Sequence, residues 1–257
     1  MDVLSDVLDT VRLTSTAFGQ ARFVAPWGAR AEPGDHYAFH VVVRGRCWLE
    51  VAGGKPTPVE AGDVVVIASG RGHVLRDSLD TEPRSLGELF AAGVFAPGPR
   101  PAVGKSRAET HIVCGCFRFE GAADDALRSA LPTVIHTRDA DTDAGMWLAQ
   151  TIKLLAYESS VERPGSATVT QRLCDALFVF ILRSHLATLP TKRASWLRAL
   201  VDPQIGPALR LMHEAPGEAW TVDTLASRVG MSRSAFALRF AEHVGETPKQ
   251  YLIRWRA

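Results

Sequence analysis

The chain has 257 residues, of which 46% are hydrophobic and 22% charged, and a formal net charge of +1. This is the balance of an ordinary globular protein, and it excludes nucleic-acid or membrane attachment by bulk charge, leaving only local patches for that purpose. MDVLSDVLDTVRLTS at the start lacks the basic and apolar regions of a signal peptide, no run approaches the ~20 apolar residues of a membrane span, and four cysteines make no disulfide framework, so a cytoplasmic protein with reduced thiols and no membrane partner is expected.

From Val11 to about Glu120, short runs rich in Val, Ile, Trp and Phe are cut by Gly, Pro and Asp, as in HVVVRGRCWLEVAGG and VEAGDVVVIASGRGHVL. Turn signals every ~10 residues predict antiparallel strands in a sandwich or barrel. The Gly/Pro/Ala-rich segment 91–109 reads as a long loop, after which THIVCGCFRFEG resumes strand alternation.

The period changes between Ala123 and about Ala187. DTDAGMWLAQTIKLLAYESS sets Met146, Leu148, Ile152, Leu155 and Ala156 near a 3.6-residue repeat. VERPGSA interrupts it, and TVTQRLCDALFVFILRSHLA places Leu173, Leu177, Phe180 and Ile181 on a second stripe. A helix pair this apolar needs a partner surface, either the strand region or a second copy of the chain. A polar connector with Pro190 leads to a compact helical region from about Leu197.

In that last region Asp202 reads as an N-cap with Pro203 at N1. Thr221 caps a helix that Gly230 ends, and Ser232 caps the next, whose buried face is Phe236, Phe240 and Val244. Two short helices on a tight turn make a helix-turn-helix, whose second helix enters the DNA major groove. Residues 192–257 hold ten Lys/Arg against six Asp/Glu, a local excess consistent with this reading.

WTVDTLASRVGMSRSAFALRF followed by VGETPKQYLIRWR resembles the first half of the DNA-binding region of AraC/XylS-type transcription regulators. Trp220, Leu225, Ala226, Gly230, Ser232, Phe236, Phe240, Gly245, Pro248, Tyr251 and Leu252 carry the match. The resemblance makes 233–244 the recognition helix and implies double-stranded DNA as partner, contacted by Ser232, Arg233, Ser234, Ala237, Leu238 and Arg239. The two arginines suit phosphate or base edges, whereas Ala237 and Leu238 replace the long polar residues common there and offer only apolar contact. Family members carry a second such unit after a linking helix. YLIRWRA stops where that helix begins, so a sensor or dimerisation partner with little DNA affinity of its own stands as the alternative.

The strand region resembles a cupin. Gly62, Gly70 and His73 fall in register with the second cupin motif, with Ala68 in place of its Pro and Asp77 in place of its Asn. The first motif is broken, leaving His36, His40 and Gly45. His40, His73 and Cys114 form an N/S set suited to zinc, or else are simply buried side chains. His36 and Trp48, with Tyr37, Phe39 and Arg46 nearby, are the candidates to line an effector pocket, although strand parity splits them between faces. Glu32 and Glu50 are the candidate carboxylates for a non-haem iron set, but the broken motif and the appended DNA-binding unit weigh against an enzyme. The expected architecture is α+β: a cupin-like β-barrel over 1–122, a helical pair over 123–190, and an all-α helix-turn-helix unit over 195–257. The expected function is DNA-binding transcription regulation under a small-molecule effector, by a homodimer.

Overall fold

The computed structural model describes residues 12–95, 109–120, 131–138, 143–161, 163–188, 199–200 and 202–256. Most of the predicted loop 91–109 and the connector around Pro190 lie outside these residues. The chain divides into two compact units, one built on Thr14–Arg118 with Pro132–His185, the other holding everything from Leu186 onward.

In the first unit, β1 (Arg12–Val24), β9 (Glu109–Glu120), β3 (Tyr37–Arg44), β6 (Val64–Ile67) and β10 (Val134–Thr137) form one five-stranded sheet in that order. The other sheet runs β5 (Thr57–Glu60), β4 (Arg46–Val51), β7 (His73–Arg76), β2 (Gly28–Ala31) and β8 (Arg84–Ser85). Val42, Val65, Ile67 and Ile112 of the first sheet share one buried cluster with Leu49, Val51, Val59 and Leu75 of the second. The two sheets therefore face each other across a common core, and the described strands make a two-sheet sandwich where a closed barrel was expected.

Parity decides what each residue of β3 does. Ala38, His40 and Val42 point between the sheets, whereas Phe39 turns to the opposite face and stacks on Phe117 at 4.6 Å between ring centroids. Phe117 in turn meets Phe178 at 4.9 Å. Phe178 belongs to α3 (Ser166–Thr188), which packs on the sheet with α2 (Asp143–Glu158). Ser15 of β1 adds a hydroxyl bond to Asp175 Oδ1 at 2.6 Å. The helix pair thus covers the outer face of a sheet. Leu148, Ile152 and Leu155 are buried there, but Met146, expected on the same stripe, is 54% exposed. A short helix, α1 (Leu86–Ala91), capped by Ser85, was not anticipated because six residues are too few to show a period.

In the second unit, α4 (Ile205–Glu214), α5 (Val222–Arg228), α6 (Arg233–Val244) and α7 (Pro248–Arg256) enclose Leu209, Met212, Leu225, Phe236, Phe240 and Tyr251. Asp202 and Pro203 were expected at the N-cap and first helical position, but both precede α4, whose N-cap is Gln204; Asp202 still serves its first amides. Helix α4 begins at Ile205, and Asp202 Oδ1 accepts from Gln204 N at 3.0 Å and Ile205 N at 2.9 Å. Among the described residues no helix is long and apolar enough to cross a membrane.

Candidate functional site

The α5–α6 pair takes its geometry from its caps. Thr221 and Thr224 close a reciprocal capping box at the start of α5. Gly230, at φ +68°, turns the chain just beyond the Val229 C-cap, and Met231 N returns to Ala226 O at 2.9 Å. Ser232 then accepts from Ala235 N to start α6. Phe236 and Phe240 anchor α6 inward, with ring centroids 5.6 Å apart, and fix which residues look out.

That outer face holds most of the expected DNA contacts. Ser232, Arg233, Ser234 and Leu238 are exposed, Leu238 at 63%, and Ala237 is half-buried. Arg233 Nη1 pairs with Asp223 Oδ2 at 3.2 Å in a bridge whose side chains are 70% and 61% exposed, the kind worth little in water. Arg239 is placed differently. It donates to Asp202 through Nη2 at 2.8 Å and Nε at 3.4 Å, and the Asp202 side chain is only 7% exposed. Sequence reading missed this tie because Asp202 and Arg239 lie 37 residues apart and each has an independent local explanation.

The expected metal set is brought together, as a hydrogen-bonded chain. The β3–β9 register sets His40 opposite Cys114, and both face the sandwich interior. His40 Nδ1 lies 3.1 Å from Cys114 Sγ, and His40 Nε2 lies 2.7 Å from His73 Nε2 on the other sheet. Burial holds all three neutral. It pushes the Cys114 thiol far up, with Cys47 adding to the effect, pulls His40 well below its usual value with His73 contributing, and brings His73 down to about 4. A neutral His40 carries one ring proton, so it donates to one of these neighbours and accepts from the other.

A single ion does not fit this arrangement. His40 spends its two ring nitrogens on opposite neighbours, and two nitrogens on one tetrahedral zinc stand about 3.3 Å apart, not at hydrogen-bond distance. Among the described residues no group of three His, Cys, Asp or Glu is arranged to hold a metal. The N/S pattern in the sequence was sound in bringing these residues together, but it could not show which nitrogen each neighbour takes. Asp77, in the place of the cupin motif's Asn, instead caps a turn by accepting from Trp27 N, Ser78 N and Thr81 Oγ1.

The expected effector residues are not gathered. Trp48 is half-buried on the face of β4 opposite Leu49 and Val51, and His36 sits half-buried in the bend just before β3. Two cavities lie elsewhere in this unit. One, of about 740 Å³, runs between β1 and the α2–α3 connection and is rich in hydroxyls, including Thr14, Ser159 and Thr170. The other, of about 710 Å³, opens at one end of the sandwich between β4 and β10. Neither includes His36 or Trp48 in its lining.

A cupin-type double sheet carried in one chain with a capped, tight-turned helix pair defines a class of protein, and comparison with known proteins agrees. A family model described as Cupin matches residues 2–187. An AraC-like transcription regulator of Streptomyces lividans is 31% identical over 261 residues, spanning 100% of this chain and 83% of that protein. The HTH-type transcriptional regulator AlkR of Acinetobacter baylyi is 28% identical over 264 residues, spanning 100% and 84%. The chain belongs to this family of AraC-like transcription regulators with a cupin domain. Among solved structures, ToxT of Vibrio cholerae O395 is 9% identical, covers 95% of this chain and 98% of its own, and superposes at a TM-score of 0.32, too loosely to bear on the fold.

Proposed function

We propose that this protein regulates transcription by binding double-stranded DNA through α5 and α6, with α6 in the major groove, under the control of a small molecule held by the cupin-type unit. The observation that carries the reading is the outer face of α6. It presents Arg233, Ser234 and Leu238 to solvent just after the tight Gly230 turn. The weak Arg233–Asp223 bridge leaves Arg233 ready to exchange its partner for a phosphate, while Leu238 suits a thymine methyl. Arg239 positions α6 through Asp202 and is not itself a DNA contact in this reading. The role is regulatory, without catalysis, in the cytoplasm.

The protein acts as a homodimer in the same reading. Trp147, Leu154 and Tyr157 are all about half-exposed on one side of α2, seven and three residues apart, the spacing of a helix-pairing seam. Two copies side by side would raise the effective concentration of each α6 on adjoining groove segments.

The test is DNA binding at two salt concentrations. Selective binding that weakens steeply with salt is expected, and Arg233→Ala should weaken it several-fold and lower the salt slope by about 1. Binding that is absent at low salt, or indifferent to Arg233, would overturn the reading in favour of a sensor or partner protein without DNA affinity.

A further inference from the structure

We propose that the 710 Å³ cavity at the open end of the sandwich is the effector site, and that it takes an organic acid: a carboxylate on an apolar body. This rests on the effector-controlled reading above and adds to it both the place and the chemistry.

The cavity joins the two sheets. Leu49 and Val51 of β4 come from one, Val134 of β10 from the other, and they supply an apolar floor continuous with the core. Its charged lining is of one sign. Lys55 on the β4–β5 turn and Arg71 just before β7 stand at the mouth, and no carboxylate is among the lining residues. Among the described residues neither cation has an acidic partner within bridging distance, and both are exposed at the rim. Two neighbouring acids are engaged elsewhere: Glu50, between Leu49 and Val51, pairs with Arg76, and Asp63 Oδ2 lies 2.8 Å from the lining residue His136 at Nε2 and accepts from Glu60 N at 3.0 Å. Two rim cations over an apolar floor favour an amphipathic anion. A neutral ligand would gain nothing from the cations, and a bare inorganic anion would leave the floor empty.

The rim is also built to keep its shape. Ala52 N donates to Gly72 O at 3.1 Å, which laces the Lys55 turn to the Arg71 loop. Ala68 N donates to Thr133 O at 2.9 Å, which laces the loop after β6 to the start of β10. Gly54 N closes the turn itself onto Val51 O at 2.8 Å. A cavity already organised by backbone bonds loses little ordering entropy when filled. His73, opposite Val51 in the β4–β7 register, carries the site on to the histidine chain that spans the sheets.

The experiment titrates the full chain by calorimetry with 3-phenylpropionate and with its neutral counterpart 3-phenylpropan-1-ol, for the natural sequence, Lys55→Gln, Arg71→Gln, the double variant, and Lys153→Gln on the exposed side of α2. One acid per chain should bind, about tenfold or more tighter than the alcohol. Each single substitution should weaken the acid several-fold and the double should remove its advantage, while the alcohol and the Lys153 variant stay unchanged. Equal binding of acid and alcohol, no binding of the acid, or an undiminished acid affinity in the double variant would overturn the proposal. Parallel measurement of DNA binding separates the two readings: DNA affinity without acid binding sinks the cavity proposal alone, and acid binding without DNA affinity sinks the regulator reading while leaving the site.

Discussion

Gly45 turns β3 into β4 at φ +80°, and a Cβ built there would stand 2.3 Å from the Glu109 carbonyl oxygen. The obstacle is backbone in a paired strand, so no rotamer change relieves it. Gly230 has a similar φ of +68° but nothing within 4 Å of the built Cβ. Gly230→Ala should therefore cost only the left-handed strain, about 1 kcal/mol, and Gly45→Ala about 2–3 kcal/mol, read as a lower urea midpoint at constant slope. Asp202 makes a second residue-scale case. Burial pushes its carboxyl pKa up, but Arg239 and the amides of Ile205 and Gln204 together outweigh burial and hold it below the usual value. A lowered carboxylate contributes stability that is present above the unfolded pKa near ~3.9 and is lost as pH falls through the folded one. Asp202→Asn should cost about 2 kcal/mol at pH 7, with the gap to the natural chain narrowing below about pH 4.

At the scale of elements, the boundaries of α5 and α6 were legible because Thr221, Gly230 and Ser232 are local signals, each acting within three or four residues of where it stands. The strand region was legible as strands but not as two sheets, since the inward set of β3 (Ala38, His40, Val42) and the outward Phe39 show only that two faces exist, not what covers them. The outward face receives α3 through the Phe39–Phe117–Phe178 stack, a contact across some 139 positions that no local pattern encodes. The candidate site divides in the same way. The bounds of α6 followed from its caps, and its DNA-contact residues were what the AraC/XylS resemblance implied, whereas the Asp202–Arg239 tie spans 37 residues and the cavity cations Lys55 and Arg71 sit in loops with no periodicity to mark them. The half-exposed Trp147, Leu154 and Tyr157 on α2 are testable as an element: Leu154→Glu should turn a dimer into a monomer in sedimentation equilibrium without lowering the unfolding midpoint of the monomer, because that side chain is 54% exposed within the subunit.

At the scale of the molecule, each unit buries neutral imidazole on a polar partner, and this sets a shared response to acid. In the sandwich the chain runs Cys114–His40–His73. In the C-terminal unit His213 Nε2 lies 2.6 Å from the Tyr251 hydroxyl, with the ring's pKa brought down to about 4, chiefly by burial and secondarily by Arg254. A histidine whose folded pKa is lowered contributes stability that is present above the unfolded value near ~6.5 and declines as pH falls from there toward the folded value. For His73 and His213, both near 4 when folded, the loss runs between about pH 6.5 and pH 4 and reaches at most about 3 kcal/mol for each ring. Urea unfolding of the natural chain should therefore weaken steadily across that window. His73→Gln and His213→Gln should each start lower at pH 7, having lost a buried polar pair, and fall less steeply, in different units. Trp27, 3% exposed in the sandwich, and Trp220, whose indole donates to Ala215 O in the C-terminal unit, report the two separately when each is retained alone as fluorophore. If the pH slope seen through Trp27 were unchanged by His73→Gln, the neutral chain between the sheets would not be the source of acid sensitivity; a slope that flattens only for the unit carrying the substitution would show that each buried imidazole acts within its own core.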